Sequence, residues 1–398
     1  MLTIEPSQRR WLIVFCAVLL ALTGFAVWLS LRLPSFREPP FNFYAMKKNQ
    51  IFNVYGLTRR QEGAIKLGFA EGYPGPSIGL FGNHIVAAFG ADAFARPEDA
   101  EYFFSYHYAN LSLPEIYSYL RRVEQRGHLP KKLILVQITP PNADNGHFIV
   151  NVGNELPPDV ILAGLTSKEF FNNPLQSLRV AWEVIENWLH ETLNYNTFLL
   201  SIIQSGGYTD RTVNPSSCHD DVPARIRYFP RRLQSLFGLA GVFDVFCLPM
   251  SQFGAYHRDG SQITARDTAE ATKQEVAAVV RDENPLRESD RGLRAGDERE
   301  IARQIRAIDT IGASNGVKVV FFVPPIYETD RDESVSNQIF NRALALVPGV
   351  AVIDHRYMRD DVQLFDSGIH PSRRYFRILV DELRRRGYIE RNSASVRE

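Results

Sequence analysis

Two histidines near opposite ends of the chain stand where proton chemistry is easiest to place. His84 closes the stretch Ser77-Ile78-Gly79-Leu80-Phe81-Gly82-Asn83-His84, a short apolar strand ending in a glycine turn. His370 closes Phe365-Asp366-Ser367-Gly368-Ile369-His370, a loop that runs through Pro371-Ser372 into an amphipathic segment. An unperturbed imidazole changes charge near neutrality, so each ring can give or take a proton. Asp366, four residues before His370, can orient that ring as a base.

Three kinds of chemistry stay open for His84. It can carry an acyl or phosphoryl group transiently. With His370 and Asp366 it makes a two-histidine, one-carboxylate set suited to a divalent metal, although no short spacing such as His-x-x-x-His accompanies it. It can also be a polar residue satisfied at a helix start, in a crevice that binds without catalysing. Other groups point less clearly to a site. Ser77 lies a strand's length below the turn. Cys218-His219-Asp220-Asp221 has metal-friendly types but no second cluster. His355 follows a strand, residues 225–232 are arginine-rich, and Arg384-Arg385-Arg386 falls at a helix end, where cations are favoured. There is no phosphate-cradling glycine–lysine loop and no zinc-finger spacing, and no cofactor is called for.

These residues need elements to hold them. Residues 132–138 and 317–323 are continuous apolar runs of the kind buried on both faces of a parallel sheet. Pro114 starts a helix over 115–125 that stops at Gly127. Asp297 with Glu300 predicts a capping box for a helix over 298–313. A helix over 334–346, a strand over 350–354 and a closing helix over 373–386 follow. Residues 41–72 read as helical packing, and a helix opening at Asn83 or His84 would set its positive end behind the turn. Residues 150–300 break the rhythm and read as a partly helical insertion, with Trp182, Ile185, Trp188 and Leu189 on one side of a helix over 170–203. The alternation implies an α/β fold with a mainly parallel sheet and helices on both faces.

Forty-five basic and forty-five acidic residues among 398 give zero formal charge, which argues against bulk affinity for nucleic acid. Residues 11–31 form an uncharged run long enough to span a bilayer, with Trp11 and Trp28 near its ends. We read residues 1–10 as a cytoplasmic tail, 11–31 as an uncleaved transmembrane helix, 32–75 as linker and packing helix, and 76–390 as the main domain. Flanking charge (Arg9 and Arg10 before, Arg32, Arg37, Lys47 and Lys48 after) leaves orientation equivocal; we place the domain outside the cytoplasm. Of three cysteines, Cys16 lies in the apolar run. Cys218 and Cys247 either pair in an oxidising compartment or stay free.

The order of these parts resembles the SGNH (GDSL-like) hydrolase superfamily, especially its membrane-anchored, envelope-facing branches. Residues 77–84 look like the first block, the Asn110 segment like the second, Asn142 like the third and residues 365–372 like the last. The resemblance implies a three-layer α/β/α sandwich preceded by one transmembrane helix, held at the inner membrane with its domain in the periplasm. It implies esterase or O-acyltransferase chemistry on a cell-surface or secreted polysaccharide, with His370 as base, Asp366 as its partner and Asn142 in the oxyanion hole. Alternatively, the protein binds a glycan or an envelope assembly partner without catalysis. The chain departs from the family at three places. His84 stands where the serine nucleophile would be, Glu115 where a glycine would be, and Asp366 lies four rather than three residues before His370.

Overall fold

The computed structural model describes residues 41–47, 50–53, 59–96, 99–108, 111–140, 212–213, 255–262, 296–326, 335–367 and 370–390, with the single positions 14, 17, 21 and 293. The helix expected over 170–203, the 225–232 run, Asn110, Asn142, Cys16, Cys218 and Cys247 lie outside them. Of the apolar run 11–31 only Val14, Ala17 and Ala21 are described, all helical and exposed. Among the described residues no helix is long and apolar enough to cross a membrane.

The centre is a five-stranded sheet of β1 (Ile78–Phe81), β2 (Phe103–Ser105), β3 (Leu133–Gln137), β4 (Lys318–Val323) and β5 (Val352–Asp354). The spatial order is β2-β1-β3-β4-β5, and all four pairings are parallel. The strands are apolar at almost every position because both faces are covered. A period of two divides their side chains between two cores. Phe81, Phe104, Ile134, Val136, Phe321 and Val323 point to one, and Ile78, Leu80, Phe103, Leu135, Val320 and Phe322 to the other.

Four helices cover the first face: α1 (Arg59–Gly72), α2 (Leu113–Gln125), α3 (Asp297–Ser314) and α4 (Val335–Ala345). The second face is covered by α5 (Arg373–Arg385), which buries Tyr375, Phe376, Leu379, Val380 and Leu383. Two short 3-10 turns, His84–Val86 and Ala91–Phe94, lie on the same side. α2 follows its sequence signals, with Pro114 in the first turn and Gly127 at φ +72° just past the end.

Three local readings need correction. The turn after β1 opens no α-helix: residues 85–89 are apolar throughout rather than periodic, Gly90 interrupts them, and only a three-residue 3-10 turn forms. It is too short to sum a useful dipole, so no helix end lies behind His84. Asp297 is the first residue of α3 rather than its cap. Gly296 takes the cap position at φ +106°, a backbone state natural to glycine. Glu300 then pairs with Arg303 and Gln304 instead of reaching back. Finally, residues 41–72 are not purely helical. A short strand, Ile51–Asn53, pairs antiparallel with Thr212–Val213 and with Ala255–Tyr256, both from the insertion. Phe43, Phe52 and Phe69 from this segment enter the same core as the sheet.

Candidate functional site

The chain leaves β1 for β2 on one side, then crosses back to β3 on the other, so the sheet has a switch point between β1 and β3. In open α/β sheets the crevice outside the carboxyl ends of the strands at such a point is the usual ligand site. β1 ends there in Gly82-Asn83-His84 and β3 in Gln137-Ile138-Thr139. Phe81 faces Val136 in register, which brings the turn alongside Gln137.

Two hydrogen bonds fix the turn. The Asn83 amide donates to Oε1 of the buried Gln137 at 2.9 Å. The Asn83 side-chain oxygen accepts the Ile85 amide at 3.0 Å and caps the 3-10 turn. Gly82 is needed for closeness. A Cβ there would lie 2.8 Å from Gln137 Cβ and 2.8 Å from Val86 Cγ2. Gly82→Ala is therefore expected to destabilise the fold by about 1–3 kcal/mol through overpacking, measured by urea unfolding. An unchanged midpoint would show that the turn has room to spare.

His370 reaches the same place from the other end of the chain. Phe365–Ser367 and His370–Pro371 form a small antiparallel pair with His370 opposite Ser367, and it packs against the His84 turn. The His84 and His370 rings lie with centroids 5.2 Å apart at 61°, an edge-on contact, and both residues are half-buried. Asp366 sits on the strand beside His370 by its backbone, while its carboxylate is outside what is described. Among the described residues no group of three His, Cys, Asp or Glu side chains could hold a metal ion. Two imidazoles at this spacing can exchange protons with one bound molecule.

No known family model and no curated protein matches the chain.

Glu115 is a capping group. Its carboxylate accepts from the Ser112 amide at 2.7 Å and hydroxyl at 2.8 Å at the start of α2. His355 does not open to the crevice. It is 3 % exposed, its Nδ1 lies 3.3 Å from the Tyr375 hydroxyl, and burial holds its pKa below the ordinary histidine range.

Sequence reasoning missed a buried polar group next to the crevice. Ser105 Oγ lies 2.7 Å from Nδ1 of His107, and Lys66 Nζ lies 3.4 Å from the same nitrogen. Burial, then Lys66, then His84 push His107 well below the ordinary range, so it is a neutral imidazole at pH 7. Its Nε2 has no hydrogen-bond partner among the described residues. The signal was present: Ser105 and His107 are two apart on an extended segment and so share a side. Tyr106 and Tyr108, which alternate with them, enter the aromatic core instead.

Proposed function

We propose that the protein is a membrane-anchored, envelope-facing relative of the SGNH hydrolases, a three-layer sandwich whose switch-point crevice binds a cell-surface or secreted polysaccharide and moves an O-acyl group on it. The observation that carries this reading is the 5.2 Å contact between the His84 and His370 rings at the carboxyl rim of the parallel sheet. Fold alone would not justify an activity. A pair of imidazoles in a crevice supplies what acyl transfer needs, a proton acceptor and a proton donor within reach of one substrate.

With no hydroxyl on the turn, attack proceeds without a serine ester. His370, oriented by Asp366, takes the proton of a sugar hydroxyl in transfer or of water in hydrolysis. The oxygen adds to the acyl carbonyl. Collapse of the adduct breaks the bond to the donor oxygen, which recovers a proton from imidazolium. Asn142 is the amide assigned to the developing oxyanion. The inner membrane is the assigned location, through residues 11–31, with the domain on the periplasmic side.

The test is hydrolysis of a chromogenic acetyl ester by purified full-length protein in detergent. Saturable turnover by the wild type, lost on His84→Ala and on His370→Ala, is the expected result. A wild-type protein that binds polysaccharide but turns over no ester would overturn the enzymatic reading in favour of a binding module.

A further inference from the structure

A third imidazole lies beside the His84 turn. Past β2 the chain keeps alongside β1: the Tyr106 amide donates to Leu80 O at 2.8 Å and the Tyr108 amide to Gly82 O at 3.1 Å. Leu80 is opposite Ser105 in register, so His107, two residues on, is opposite Gly82. Phe81 is opposite Val136 on the other side, so Gln137 flanks the same glycine. Phe103, Leu80 and Leu135 belong to the second core, and a period of two puts His107 and Gln137 on that face too. Two buried polar side chains therefore flank the glycine of the turn that carries His84.

The two nitrogens of His107 have different surroundings. The Ser105 and His107 carbonyls point away from β1 to the outer edge of the sheet, where Lys66 on α1 donates to them at 3.3 and 2.7 Å. Gly260 O at 3.0 Å and the Tyr256 ring, centred 3.9 Å from Nζ, complete the seat of an ammonium. Nδ1 of His107 faces this edge, 3.4 Å from Nζ and 2.7 Å from Ser105 Oγ. An ammonium offers only hydrogens, so Nδ1 is the accepting nitrogen and the proton of the neutral ring sits on Nε2. Nε2 lies across the ring from Nδ1, which turns its N–H away from the outer edge and toward Gly82 and His84. His107 is 1 % exposed, and Nε2 has no hydrogen-bond partner among the described residues. Native structures keep few such buried donors. His84 is also near enough to be one of the charges that disfavour a protonated His107, after burial and Lys66.

We propose that His107 is a positioning residue for the imidazole pair: its Nε2–H bonds the near nitrogen of the His84 ring, directly or across one water, and so keeps the His84 proton on the far nitrogen. Hydrogen bonds then run from the Ser105 hydroxyl to His107, from His107 to His84, and from the far N–H of His84 into the crevice. His84 is thereby a hydrogen-bond donor to a bound oxygen, and proton acceptance falls to His370. That division of roles rests on the acyl-transfer reading; the link between His107 and His84 does not.

A donor held against the near nitrogen favours the neutral form of His84, so its loss raises the pH at which His84 takes a second proton. Among the described residues, the titratable groups facing the two rings are Lys66 from α1, Tyr256 from residues 255–262 and His370 from its strand pair. A substitution at position 107 leaves all three in the chain.

Nitrogen NMR of the histidine rings, on full-length protein in detergent, tests the link. His84→Gln and His107→Leu identify the two rings by the signals they remove. In the wild type His107 is expected to carry its proton on Nε2 and to keep that form from about pH 5 to 8. The His84 midpoint is expected to rise by about half a unit to one unit in His107→Leu, the size of one net hydrogen bond. It should return toward wild type in His107→Gln, whose side-chain amide supplies a donor again. A proton on Nδ1 of His107, a His107 that titrates near about 6.5 like an exposed ring, or a His84 midpoint unmoved by His107→Leu would overturn the proposal. If His107→Leu does not fold, His107→Gln identifies the ring instead and the wild-type tautomer decides. No substrate enters these measurements, so an inactive ester assay and a misplaced His107 proton are separate failures.

Discussion

His370→Ala is expected to lower ester turnover by about 10²–10⁴-fold, the range in which a positioned general base acts. The loss should fall on kcat rather than KM, because a general base moves a proton in the transition state and adds little to ground-state binding. The fold should survive. His370 is half-buried, lies on a two-residue strand and is not one of the apolar side chains that fill the second core. A thermal unfolding curve close to wild type alongside the kinetic loss separates chemistry from collapse. A change below about threefold would remove His370 from the mechanism.

Phe89→Ala should instead break the scaffold, by about 3–5 kcal/mol. Phe89 is fully buried between the two 3-10 turns, stacked on Phe376 of α5 at 4.6 Å and 9°. Phe94, Phe103 and Phe322 surround it at 5.7, 5.2 and 6.4 Å. Removing the ring leaves a cavity that five neighbouring elements cannot all close around. The same contacts hold the segment after His84 against the helix that follows His370, so the variant should also lose turnover. Phe89→Leu, closer in volume, is expected to be milder. Urea unfolding of both variants checks the ranking, and an alanine variant less than about 1 kcal/mol below wild type would show that the turns are held by other means.

The sheet was legible because its strands are apolar runs with sharp ends. Residues 132–138 and 317–323 announce buried parallel strands by composition, and the structure places β3 and β4 within them. The partnership of His84 and His370 was legible for a topological reason: a strand end and the loop before a last helix fall on one rim when every strand runs the same way. What followed His84 was not legible, since an all-apolar stretch has no period to tell a 3-10 turn from an α-helix. The helix cap at Gly296 was hidden for the opposite reason. Asp297 and Glu300 form a good local signal, and a glycine able to adopt a positive φ displaced it by one residue. Lys66 could not be found from its neighbours in sequence. Two of its partners, Tyr256 and Gly260, come from the insertion, and only the fold brings them to α1.

If the two rings from opposite ends of the chain act as one unit, a double-mutant cycle shows it. Ester turnover is measured for the wild type, His84→Ala, His370→Ala and the double variant under identical conditions. Groups that share a single step are strongly non-additive, so the double variant should be no slower than the slower single one. Losses that multiply, leaving the double variant slower by the product of the two factors, would mean that the rings work independently and that their contact at the rim is only packing.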